Sequence, residues 1–217
     1  WHDYAEYVKN TALGLIAVGL RRGDRIGIIT NNHVEWLFSE LGGQAAGAVT
    51  LNLFTTAVAE ELVHSLNRVS ATYVIVQDQE QADKIIDSRE KLSHVRRVIY
   101  IDPTGMRPYR SDPWLLSFRE LLEIGRAYDS ENGGRFVEEV NKGRSKEVAV
   151  MIQTSGTTGI PKIAMLTHRN FTAIAEKWLE SEPLPVGARW ISITPPAWIV
   201  DQMRGVGVAL LGGLTMN

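Results

Sequence analysis

Residues 154 to 162 read Thr154-Ser155-Gly156-Thr157-Thr158-Gly159-Ile160-Pro161-Lys162. Hydroxyls, paired glycines and a lysine packed this closely are the components of an anion grip. Gly156 and Gly159 let the backbone take positive φ and come close to a ligand. Successive N–H groups in such a turn form a concavity that binds oxyanions. The hydroxyls of Thr154, Ser155, Thr157 and Thr158 can donate to phosphate oxygens, and Thr154 or Thr158 can offer an oxygen to a hard cation. Lys162 adds a compact positive charge, and Pro161 reduces the entropy lost on ordering. A polyphosphate is the ligand that this set fits. The pattern is not a Walker loop, which passes from its second glycine directly into lysine, a hydroxyl residue and a helix. Here Ile160 and Pro161 intervene, and a strand follows.

Elsewhere the chemistry thins. His33, His64 and His94 lack metal-ligand spacing. Glu60-Glu61 and Glu138-Glu139 read as solvated helix faces, Trp36 as core, and Asp201, Gln202 and Arg204 as a helix with solvated or capping roles. The chain has no cysteine, which removes disulfides, thiolate metal sites and a Cys nucleophile and fits a reducing compartment. Lys plus Arg number 23 against 25 for Asp plus Glu, a net charge of -2. With no basic run, a nucleic-acid partner is not expected. The apolar stretch 206–214 is broken by glycines and too short to cross a bilayer, and no leader is read at the start. A cytoplasmic protein is expected; peripheral contact with the inner face of the membrane stays open.

The loop needs elements to hold it. At 217 residues, 44% hydrophobic and 22% charged, the chain is long enough for one large or two small domains with a core. Tyr4, Val8, Thr11, Ala12, Leu15 and Ile16 recur at helical spacing over 4–20. A strand is expected at 25–29, then a helix at 33–46 opened by Asn31-Asn32, and a strand at 48–54. Helix 60–67, strand 72–77, polar helix 78–92 and strand 98–101 follow, with Asp78 and Gln81 at capping-box spacing. Alternation of this kind predicts an α/β fold, a mostly parallel sheet with covering helices and ligands along the carboxyl edge of the strands. Prolines and glycines break up 102–141, read as an irregular excursion holding a single helix at 117–128. Strands at 148–153 and 163–167 flank the loop, and a helix begins near Asn170. The division is therefore an N-terminal α/β subdomain, 1–142, and the start of a second α/β region, 143–217, carrying loop 154–162. The opening on Trp1 and the close on an apolar run after Gly212-Gly213 read as an excised piece, truncated at 217.

TSGTTGIPKIAMLTHRN resembles the signature of the adenylate-forming superfamily, which comprises acyl-CoA synthetases, peptide-synthetase adenylation domains and beetle luciferases. GLRRGDRIGIITNNHVEW, ELGGQAAGAV, AEELVHSLNRVSATYVIVQDQEQADKII and ITPPAWIVDQM are similar to segments of bacterial long-chain fatty acyl-CoA synthetases, so the resemblance covers nearly the whole chain. It implies a partial N-terminal domain of that fold. It also implies a reaction in which ATP activates a fatty acid to an acyl-adenylate and the acyl group passes to coenzyme A. Ser155, Gly156, Thr157, Thr158, Gly159 and Lys162 would then hold the β- and γ-phosphates, and Thr154 would stand near Mg²⁺. Trp198, after Thr194-Pro195-Pro196-Ala197, would wall the substrate pocket, with plain core packing as its alternative role. His168 resembles the second member of the family's Thr-His pair, and loop ordering is its expected task. Ile163 stands where relatives usually carry glycine. The family's adenine-binding motif, Mg²⁺-binding glutamate, ribose-binding aspartate and catalytic lysine would lie beyond residue 217, so the chain alone is expected to be inactive. An adenylating enzyme serving a carrier protein or an amine, and a non-catalytic nucleotide-binding module, are the alternatives. Acyl chain length and oligomeric state stay open.

Overall fold

The computed structural model describes residues 1–154, 162–185 and 187–216. Seven strands form one sheet: β1 (Arg25–Ile29), β2 (Val49–Leu53), β3 (Tyr73–Val76), β4 (Arg97–Tyr100), β5 (Leu115–Ser117), β6 (Val148–Thr154) and β7 (Lys162–Thr167), in the order β5-β4-β3-β1-β2-β6-β7. All neighbours run parallel except β6 and β7, which pair antiparallel. The expected fold class is the observed one.

The helices are α1 (His2–Ala17), α2 (Val34–Ala45), α3 (Ala59–Arg68), α4 (Gln79–Ile86), α5 (Phe118–Glu131), α6 (Arg135–Lys142), α7 (His168–Ser181) and α8 (Ala209–Gly212). The path β1-α2-β2 steps one way, and β2-α3-β3 returns across β1. Right-handed crossovers then put α2 and α3 on opposite faces. The burial follows the two-residue period of the strands. Ile26, Ile28, Tyr73, Ile75 and Ile99 pack with α1, α2 and α5, whereas Leu51, Leu53, Val74, Val76 and Val98 pack with α3 and α4.

Several boundaries differ from the sequence reading for identifiable reasons. The N-cap of α2 is His33, without a side-chain cap. Asn32, expected to open that helix, instead donates to Ser192 Oγ and the Thr194 carbonyl. Segment 78–92 divides into α4 and a 3₁₀ turn at Arg89–Lys91. Half of the capping box forms there, with Asp78 accepting from the Gln81 N–H. Segment 102–141 holds two helices and an edge strand rather than one helix. The strand β5 is only three residues long and exists because it pairs with β4, which no local periodicity announces. Helix α6 buries Glu139, read as solvated, among Arg135, Lys142 and Arg22; proximity to the two charges on its own helix and one from the β1 side holds its carboxyl below the usual range against the cost of burial. Helix α7 opens with Thr167 and Asn170 forming a reciprocal capping box.

After α7 the chain forms a small parallel pair, β8 (Arg189–Trp190) with β9 (Thr215–Met216). Between them a π-helix, Asp201–Val208, leads into α8. It packs on α7, with the Arg204 guanidinium 3.9 Å over the Trp178 ring and Gly207 against Phe171 and Ala175.

Candidate functional site

Strand β6 runs parallel to β2, with Thr50 opposite Val150 and Asn52 opposite Ile152. Its carboxyl end, Thr154, therefore stands at the same edge as the carboxyl ends of β1 to β5. In open α/β sheets this edge is where ligands bind. Thr154 pairs with Lys162 across the antiparallel β6–β7 ladder, so the two flanks of the expected phosphate grip face one another, and both are exposed. Ser155, Gly156, Thr157, Thr158 and Gly159 lie outside the described residues. Ile163, in place of the usual glycine, continues β7 opposite Gln153 and rests on the core formed with α3 and α4.

Thr154 Oγ1 sits 3.4 Å from the Lys162 carbonyl, a long contact that a better partner can displace. Among the described residues no group of three or more His, Asp and Glu is placed to hold a metal. His168 stands in the first turn of α7, and its backbone N–H donates to the Glu147 carbonyl. Partial burial lowers its pKa, opposed by the nearby Glu147 charge.

A second constellation reaches the same edge from the far end of the chain. Asn32, just past β1, donates to Ser192 Oγ at 2.7 Å and to the Thr194 carbonyl at 2.8 Å. The following Pro195-Pro196-Ala197-Trp198 forms a turn, closed by the Trp198 N–H on the Pro195 carbonyl. Trp198 is 51% exposed within this chain.

Asp201 and Gln202, read from the sequence as solvated or capping, are 1% and 0% exposed. Asp201 accepts from the hydroxyls of Ser192 and Thr194 at 2.7 and 3.1 Å. Burial raises its pKa and these two donors oppose the rise. The Gln202 side-chain amide donates to the Pro196 carbonyl at 2.9 Å. The turn is thus tied down by polar side chains pointing inward from the π-helix, a geometry frequent at functional sites.

Behind it lies a residue that the sequence reading did not single out. Glu40, on α2, is fully buried. Thr50 and Gln44 donate to its Oε1, each at 2.7 Å, and Asn52 to its Oε2 at 2.6 Å. Trp36 in turn donates to Asn52 Oδ1, and the Gln202 side chain meets the same carboxyl. Burial pushes the Glu40 pKa up to about 7, against the four donors that favour its charge. A signal existed: Glu40 follows Trp36 by four residues and Leu37 by three, which puts it on the buried stripe, and Thr50 and Asn52 are polar on one face of an otherwise apolar strand. An apolar cavity of about 370 Å³ opens nearby, lined by Tyr4, Tyr7, Trp36, Phe38, Leu210 and Met216 among others, with Asn32 and Ser192 at its wall; Trp198 does not line it.

The family model described as "AMP-binding enzyme" matches residues 1–217. A long-chain-fatty-acid–CoA ligase of Drosophila melanogaster, heimdall, is 32% identical over 168 residues, covering 77% of this chain and 24% of that protein. The Xenopus laevis long-chain-fatty-acid–CoA ligase ACSBG2 is 29% identical over 226 residues, covering 99% of this chain and 30% of its own length. Among solved structures, the anthranilate CoA ligase AuaEII in complex with anthranoyl-AMP superposes with a TM-score of 0.83 at 19% identity, over 98% of this chain and 38% of that one. The chain thus spans less than a third of the length of these curated relatives.

Proposed function

The chain belongs to the AMP-binding enzyme family, and from that premise we propose that it is the ATP-phosphate-binding part of an acyl-CoA ligase that activates a long-chain fatty acid. The observation that carries the reading is the stretch 154–162, with its ends Thr154 and Lys162 paired at the carboxyl edge of the sheet. A carboxylate oxygen attacks the α-phosphorus of ATP, the bond to the bridging oxygen breaks, and pyrophosphate leaves with the negative charge. Donors preorganised toward that charge are the largest catalytic contribution available. In this reading Lys162 and the hydroxyls and N–H groups of Thr154, Ser155, Gly156, Thr157, Thr158 and Gly159 supply them. The Thr154 hydroxyl would be the ligand this chain offers to Mg²⁺, which would supply further charge neutralisation for the departing pyrophosphate. The thiol of coenzyme A then attacks the acyl carbon and AMP departs.

Trp198, exposed on a turn anchored to that edge, is the proposed wall of the acid's pocket. The long-chain preference is supported by the names of the relatives and by the apolar lining of the cavity beside Asn32. Residues 1–217 by themselves form no acyl-adenylate in this reading, because they span so small a share of the relatives' length. The reading is tested with the full-length protein by a carboxylic-acid panel scored for AMP release with and without coenzyme A. Long-chain acids should lead the panel, release should depend on the thiol, and Lys162→Ala should lower turnover about 100-fold or more. Release with an amine or carrier-protein acceptor in place of the thiol overturns the ligase assignment. An absence of Mg-ATP binding overturns the enzymatic one.

A further inference from the structure

Apolar burial did not choose the orientation of the segment that leads into the Trp198 turn. Ile191 and Ile193 are 66% and 80% exposed, whereas Ser192 and Thr194 direct their hydroxyls inward onto Asp201. Exposure alternates along 191–194 as it would in a strand. A shift of one residue would turn both isoleucines inward, an exchange that the hydrophobic effect favours. A polar arrangement must therefore hold the observed register.

The arrangement is a closed ring of hydrogen bonds drawn from three segments. Asp201, on the π-helix, accepts from Ser192 Oγ at 2.7 Å through Oδ2 and from Thr194 Oγ1 at 3.1 Å through Oδ1. Asn32, just past β1, donates from Nδ2 to the same Ser192 Oγ at 2.7 Å and to the Thr194 carbonyl at 2.8 Å. The donors match the acceptors one for one. The Asn32 amide nitrogen carries two hydrogens, each hydroxyl gives its single hydrogen, and an ionised carboxyl only accepts. Bonds to a carboxylate are among the stronger ones, and one buried as deeply as Asp201 would be left uncompensated without them.

We propose that Asp201 and Asn32 are positioning residues for the acid's side of the site. With Ser192 and Thr194 they fix the face that 191–194 presents, and hence the bearing of Trp198 relative to the end of β1. The catalytic consequence rests on the reading of that turn as the wall of the acid's pocket; the ring itself does not.

Asp201→Asn keeps the shape but sets a second donor against hydroxyls that already donate, and Asn32→Ala removes the opposite side of the ring. In the full-length protein, amide hydrogen exchange over 190–203 should become about tenfold faster in both, with β3 and β4 unchanged. With palmitate and Mg-ATP as substrates, both should raise KM for the acid about tenfold and leave KM for ATP within about twofold. Thr194→Val, which removes one hydroxyl at similar volume, should act in the same direction, and Thr194→Ser, which keeps that hydroxyl, should recover most of the loss. Unchanged exchange over 190–203 in Asp201→Asn overturns the proposal. So does a KM for ATP that rises in step with that for the acid, or an equal loss in Thr194→Val and Thr194→Ser. If the unsubstituted protein releases no AMP, the ligase reading falls, and the exchange result alone still decides the ring.

Discussion

Glu40 shows what one buried ionisable residue imposes on a fold. Burial pushes its carboxyl pKa up to about 7 in the folded chain, from about 4.5 for a carboxyl in water. The side chains that meet it, Gln44, Thr50, Asn52 and Gln202, are neutral, and the titratable neighbour, the Tyr4 phenol, is held un-ionised by burial and by the Glu40 charge. Between these two pH values the folded chain keeps a proton that the unfolded chain has released. The contribution is therefore fully present below pH 4.5 and lost as pH rises through about 7. A shift of this size corresponds to at most about 3 kcal/mol. Urea unfolding of the parent chain should show this loss between about pH 4.5 and 7 relative to Glu40→Gln, which has nothing to titrate there. Parallel stability–pH curves for the two proteins would exclude the shift. The composition behind the proposed phosphate grip at 154–162 was legible residue by residue, because hydroxyls, glycines and lysine declare their chemistry locally. Glu40, Asp201 and Gln202 were not. Their roles come mostly from partners on neighbouring strands and turns, and an isolated Glu or Gln on a helix looks the same whether it meets water or another element.

At the scale of elements, the crossing of α1 and α5 is set by two glycines. A Cβ at Gly125 would lie 1.9 Å from the Asn10 carbonyl oxygen, and one at Gly14 would lie 2.3 Å from that of Leu121. Backbone cannot yield as a side-chain tip does, so Gly125→Ala forces the helices apart. A loss of about 2–3 kcal/mol is expected in thermal or denaturant unfolding. Gly133→Ala is the control, with nothing within 4 Å of its added methyl group and no positive φ, and should change stability by less than about 0.5 kcal/mol. Equal effects of the two would refute the close-crossing account. Strands β1 to β4 and their helices were legible because apolar periodicity and β-branched runs are local properties. Strand β5 and helix α6 were not: one is defined by a neighbouring strand, and the other opens after Gly134 at φ 90° with no polar side-chain cap.

For the molecule as a whole, the decisive pairing is β2 with β6, which adds residues after 143 to the sheet begun by 1–142. Arg22 reinforces it, bonding the Glu139 carbonyl and pairing with Glu147. A chain ended after Lys142 would leave the backbone of β2 as an open edge, a template for self-association. Size-exclusion chromatography should find that truncation oligomeric or aggregated; a monomer as stable as the parent would show that β6 is dispensable. The sequence by itself determined the α/β class, most of the parallel strands and the chemistry of the loop, since these depend on residue type and short-range spacing. Only the tertiary structure decided that Thr154, Thr194 and their supports share one sheet edge. Strand order and burial are set by contacts between elements far apart along the chain, Thr50 with Val150 among them, and no local pattern encodes which of the available partners a segment will meet.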